Sequence, residues 1–277
     1  EVIEKYPTSR FLIYSKYSKA WSLYELEDYE TAIGEFEGVI ESDPSHLLAI
    51  ESRYKIGQCL YELKKYLAAS QALAAFVAEN PLNPKTSNAY YLMGESHYNL
   101  GEYSVALDAF KKSIDLGGKS AFRAFALHRI GWTYFQLGKY NESLQSFMPF
   151  EDEIKDATIK DSFLFGKARS LGKLGRFEEA LEAYDQILKQ FPDSEIMDQV
   201  WFWKAETLYE LGRFQEAAAL YQETGRKYPS SDLQDDLQYN LGWANVRLGK
   251  LDEAIDHFRF VADYSNNEVL KVNALCR

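Results

Sequence analysis

Small residues recur in this chain every 37 positions, and that interval decides what it can fold into. Ala20, Gly57, Gly94, Gly131, Ala168, Ala205 and Gly242 form one series. Ala32, Ala69, Ala106, Ser143, Ala180, Ala217 and Ala254 form a second, and Leu26, Leu63, Leu100, Leu137, Leu174, Leu211 and Leu248 a third. The prolines repeat the interval independently: Pro7, Pro44 and Pro81 are 37 apart, as are Pro192 and Pro229. A period of this size marks an array of like supersecondary units, each burying its apolar face against its neighbours.

With Ala20 set at position 8 of a 37-residue unit, position 15 is mostly glycine: Gly101, Gly138, Gly175, Gly212 and Gly249. Position 17 is aromatic or leucine, position 20 is alanine or serine, and position 24 is large: Phe36, Leu73, Phe110, Phe147, Tyr184, Tyr221 and Phe258. This pattern predicts two antiparallel helices per unit. Small side chains at positions 8 and 20 let the backbones approach, and the bulky ones fill the space beside them. Glycine at position 15 suits a left-handed residue ending the first helix, so Glu27 and Lys64 at that place cost about 1 kcal/mol each. Proline at position 32 stops the second helix. No alternating strand pattern competes, so the fold class is all-α. Seven full units span residues 13–271. Residues 1–12 read as the end of a preceding unit, with Val2 and Pro7 in register, and 272–277 as the start of a following one. Both ends are therefore expected to be cuts in a longer array.

Segments such as YYLMGESHYNLGEYSVALDAFKKSIDL and VWFWKAETLYELGRFQEAAALYQETGRKYP resemble tetratricopeptide repeats, although the period is 37 rather than the commoner 34. The resemblance covers almost the whole chain. It implies a right-handed superhelical solenoid whose first helices line a concave face, and a non-catalytic protein-binding role. The endings KYPTS, QFPDS and KYPSS narrow it towards bacterial cell-envelope members, outer-membrane assembly lipoproteins and Tol-Pal-associated coordinators among them. A periplasmic or outer-membrane-associated setting is thus expected, with the cytoplasm as the alternative.

Nothing in the residues supports chemistry. The 277-residue chain is 46% hydrophobic, ample for a core. Its net charge of -11 opposes nucleic-acid and anionic-lipid binding. No apolar run approaches the ~20 residues of a membrane span, so direct membrane insertion is not expected. Cys59 and Cys276 lie far apart, and His46, His97, His128 and His257 make no metal-binding motif. Phosphate-loop and nucleophile motifs are missing, and Glu178-Glu179 and Asp235-Asp236 suit helix starts. No cofactor, metal or catalytic residue is assigned.

Binding residues are sought on the first helices, where positions 5, 9 and 12 share a stripe. Position 5 reads Tyr17, Tyr54, Tyr91, His128, Phe165, Phe202 and Tyr239. Position 9 carries Trp21, Trp132, Arg169 and Trp243, and position 12 is a ring in most units. These residues form an expected aromatic groove. One reading has it hold a peptide or protein segment, with Gln58, Arg169 and Asn240 bonding the backbone. The other has its rings stack on polysaccharide or peptidoglycan sugars, flanked by Glu51, Asn88, Gln199 and Asp236. The family's carboxylate clamp for chaperone tails is ruled out. It needs lysine at position 5 and asparagine at position 9, and Arg129 and Asn240 at position 6 read as isolated. The fourth unit has Pro149 inside its second helix, followed by EDEIKDATIKD without the usual proline turn. The fifth has Gly172 where its neighbours carry Phe135 and Tyr209, leaving a gap beside Arg169 that reads equally as a ligand pocket or a flexible joint.

Overall fold

The sequence period is also the helix period. A computed structural model describes residues 11–117, 122–148 and 157–276. Pro149, most of the segment after it, and the in-register terminal residues Val2 and Pro7 lie outside the described residues. The first helices are α1 (Leu12–Glu25), α3 (Leu47–Glu62), α5 (Thr86–Asn99), α7 (Phe122–Gln136), α9 (Ala157–Lys173), α11 (Met197–Glu210) and α13 (Gln234–Arg247), each ending at position 13. The second helices are α2 (Tyr29–Ser42), α4 (Tyr66–Glu79), α6 (Tyr103–Gly117), α8 (Tyr140–Phe147), α10 (Phe177–Gln190), α12 (Phe214–Lys227) and α14 (Leu251–Tyr264), each beginning at position 17. A short α15 (Glu268–Leu275) follows, and the described residues form no strand. The chain divides into two compact units, one through Lys139 and one from Tyr140.

The three-residue link between paired helices has one geometry throughout. Gly101, Gly138, Gly175, Gly212 and Gly249 take φ of 70–82°, and Glu27 and Lys64 follow at 62° and 58°. The amide after each left-handed residue donates back to the carbonyl five residues earlier. Asp28 to Leu23, Glu102 to His97 and Arg213 to Leu208, each 2.9 Å, are examples. This is a Schellman closure, which satisfies the orphan carbonyls at a helix C-terminus. A side chain in this conformation costs about 1 kcal/mol or more. Glu27→Gly and Lys64→Gly are therefore expected to raise the stability of the first unit by about 1 kcal/mol each in urea denaturation. No change would mean that the two side chains recover the strain elsewhere.

Inside each pair, positions 8, 20 and 24 make the core. Every position-20 residue and every position-24 residue is buried, from Ala32 and Phe36 to Ala254 and Phe258. Position 24 lies directly over position 8. A methyl on Gly94 would come within 2.6 Å of the Phe110 ring, and one on Gly57 within 2.6 Å of Leu73. At these two glycines the partner side chain occupies the place a Cβ would take, whereas Ala20, Ala168 and Ala205 hold a methyl at the same position. Where position 20 is serine, its hydroxyl is not left unpaired: Ser143 bonds Ser170 at 2.8 Å.

The proline endings close the loop to the next pair. Ser194 donates to Asp161 at the head of its own first helix and accepts from the Ile196 amide. Ser231 repeats this with Asp198 at 2.5 Å and the Leu233 amide at 3.2 Å. The serine of QFPDS and KYPSS thus has a local structural task.

Candidate binding face

Consecutive first helices touch one another directly: α1 with α3, α3 with α5, α5 with α7, and α9 with α11. Within each unit they form a rank on which positions 6, 9 and 12 lie side by side.

Position 5 does not belong to that surface in the way the stripe suggested. Tyr54, Phe165 and Phe202 are 5%, 5% and 4% exposed, which corrects their assignment as partner contacts to a packing role. The reason is helical geometry. Position 5 lies three residues before position 8 and so shares the face turned to the second helix. Its rings meet the second helix edge-on or tilted: Tyr17 with Phe36 (5.7 Å), Tyr91 with Phe110 (5.6 Å), Phe202 with Tyr221 (6.0 Å), Tyr239 with Phe258 (5.7 Å). Tyr17, Tyr91, His128 and Tyr239 remain half-buried.

Position 9 ranges from exposed Trp21 to buried Glu95. Trp21 is 38% exposed, while Trp132, Arg169 and Trp243 are half-buried. Trp132 donates its indole N–H to His128 Nε2 at 3.0 Å, and Trp243 rests edge-on against Phe258.

The residues that the sequence pattern missed most clearly are those at position 6, which reaches position 9 or 12 of the preceding repeat, 34 or 31 residues earlier. Lys55 places its ammonium 4.3 Å from the Trp21 ring and 4.1 Å from the Tyr24 ring. Arg129 grips Glu95 with two bonds of 2.5 and 2.6 Å and lies 4.2 Å from the Tyr98 ring. Asn240 donates to Glu206 at 2.6 Å, and Tyr221 donates to the same carboxylate. Trp203 receives the Arg169 guanidinium on its face at 3.3 Å. Arg129 and Asn240 are therefore not isolated, and Asn240 already serves Glu206. The signal was present as a charge or ring at position 6, but only the known offset between neighbouring repeats gives it a partner.

Burial sets the electrostatics of these rungs. It lowers the Lys55 pKa, with Lys85 adding to the effect, and brings Arg169 down to about 10. It raises Glu206 against the opposing bond from Tyr221. The Tyr24 phenol is pushed up to about 12 by burial and by Glu62. Cations laid on half-buried rings are worth about 0.5–2 kcal/mol, so these contacts fix ring orientation between repeats.

At Gly172 the row of rings breaks. A cavity of 280 Å³ opens there, lined by Arg169, Gly172, Phe177, Trp203 and Thr207 among others. It lies wholly within the second unit, at the gap beside Arg169.

Comparison with known families decides the class. Two tetratricopeptide repeat models match, one at residues 17–84 and 165–232, the other at 235–266. The chain is a tetratricopeptide repeat protein. A third model, for subunit 3 of the anaphase-promoting complex, matches residues 70–150. Among solved structures, a tetratricopeptide repeat protein from Parabacteroides merdae superposes with a TM-score of 0.72 at 16% identity, covering 96% of this chain and 99% of that one. The C-terminal part of a repeat protein from Cytophaga hutchinsonii gives 0.67 at 15%, covering 94% and 99%. PilW, a widely conserved type IV pilus biogenesis factor, gives 0.67 at 18%, covering 81% and 97%. A search of curated proteins returned no match. These likenesses establish an all-α tetratricopeptide solenoid, a fold that generally serves as a scaffold for protein partners. No helix among the described residues is long and apolar enough to cross a membrane.

Proposed function

We propose that the first helices, ranked within each unit, bind an extended peptide or protein segment and catalyse nothing. The observation that carries this is Trp21. It is a large apolar ring, 38% exposed, yet held in place by Lys55, Tyr17 and Tyr24. An exposed indole already fixed in orientation loses little freedom when a partner covers it, which favours anchoring. Trp132, beside His128 and Phe135, and Trp243, beside Tyr239, are the corresponding anchors in later repeats. Tyr91 flanks the first helices of the first unit, and Arg169 those of the second.

The test uses display of random peptides on the whole chain, followed by calorimetric titration of a selected peptide. Trp21→Ala is expected to weaken that peptide about 30-fold, or about 2 kcal/mol, with only a modest fall in melting temperature from loss of the Lys55 contact. Failure to select any peptide, or unchanged affinity in the variant, overturns the reading.

We read the setting as a bacterial cell-envelope assembly. Its support is the proline-serine endings and the fold shared with PilW, a pilus biogenesis factor. The endings also close loops, which leaves the likeness the lesser part of their explanation. Fractionation that finds the native protein in the cytoplasm would remove this part alone.

A further inference from the structure

The repeats of one chain act as controls for one another, and position 12 is where they disagree most usefully. Tyr24, Tyr61, Tyr98 and Tyr209 each turn a ring against the residue at position 17 of their own repeat. The centroid separations are 5.5, 5.7, 5.3 and 5.2 Å, to Tyr29, Tyr66, Tyr103 and Phe214. Phe135 occupies the same place in the fourth repeat. In the fifth, position 17 still supplies its ring, Phe177, but position 12 is Gly172.

The space has not been closed by collapse of the neighbours. A methyl on Gly172 would touch only the Thr207 hydroxyl, at the ordinary distance of 3.9 Å. The 280 Å³ that remain exceed the ~150 Å³ of a cavity known to admit benzene. Its lining includes the Phe177 ring and the Trp203 ring, the latter steadied by Arg169 at 3.3 Å. The flanks are polar, with Glu206, Glu210 and Lys173. The cavity therefore has the neighbours, and more than the size, of the ring that five of the other six repeats carry; the seventh has Val246.

We propose that this cavity is a specificity pocket for the aromatic side chain, tyrosine or phenylalanine, of a bound peptide. The incoming ring takes the place of the missing position-12 ring, edge-on to Phe177 and close to Trp203. A tyrosine hydroxyl would sit among the polar flanks, where four of its internal counterparts are also tyrosines. The proposal rests on the peptide-binding reading above and adds one defined subsite to it.

The test titrates N-acetyl-tyrosine amide into the full chain, followed by amide and indole resonances in two-dimensional NMR. Saturable shifts confined to Gly172, Phe177 and the Trp203 indole are expected, with N-acetyl-leucine amide several-fold weaker. Gly172→Phe should fill the place from within. It should abolish these shifts at an equal or higher melting temperature, because the methyl position is open and glycine is a poor helix former. The proposal is overturned by absence of shifts at those residues, by equal response to the leucine compound, or by a variant that melts lower or still binds. The two readings fail separately. Selected peptides that perturb Trp21 but not Gly172 remove the pocket alone. A chain that takes the tyrosine amide but no peptide removes the groove alone.

Discussion

Phe110→Ala is expected to destabilise the first unit by about 3–5 kcal/mol in urea denaturation. The ring is fully buried, covers Gly94 and meets Tyr91 at 5.6 Å. Its loss removes contacts on both helices of the third repeat at once. The more telling measurement is the cycle with Gly94→Ala. In the parent that methyl would lie 2.6 Å from the Phe110 ring, an overpacking worth about 1–3 kcal/mol. In the Phe110→Ala background the methyl enters vacated space and should stabilise. A sign change across the cycle confirms that position 24 fills the place of the position-8 side chain. Additive costs would mean that the helices re-space instead.

Arg129→Met is expected to cost a comparable 3–5 kcal/mol or so, for a different reason. Glu95 is 7% exposed and receives charge-assisted bonds of 2.5 and 2.6 Å from Arg129, with Tyr91 also hydrogen-bonded to it. Without the guanidinium, a carboxylate is left buried beside Tyr91 and Tyr98. The double variant Glu95→Gln, Arg129→Met should regain most of the loss, since neither change then leaves a charge uncompensated. A single variant costing under about 1 kcal/mol would show that water reaches the pair, as in a surface ion pair.

The helices were legible because their determinants are local. Glycine at position 15 and the aromatic or leucine at position 17 set the boundaries within a repeat, and α2 to α14 keep that register. The candidate binding face was legible only in part. At position 9 Trp21 is exposed, whereas Glu95 is buried. Position 5 was misread, because Tyr54 and Phe202 look alike in sequence whether a ring faces a partner or a second helix. Arg129 and Asn240 seemed solitary because their partners lie one repeat back, a separation that depends on the tilt between helices and that no residue pattern displays. Gly172 was recognised as a gap, whereas the wall supplied by Trp203 was not.

The rungs from position 6 to the preceding repeat also bear on how such arrays can be recombined. A chimera joined at the loop between one helix pair and the next leaves each pair whole but severs the Arg129 grip on Glu95 or the Lys55 cover on Trp21. The orphaned residue belongs to the donor that looked untouched. The transferable cassette is therefore not the repeat but the stretch from one first helix through the next. Grafts cut to that frame should carry their recognition residues together with the side chains that hold them.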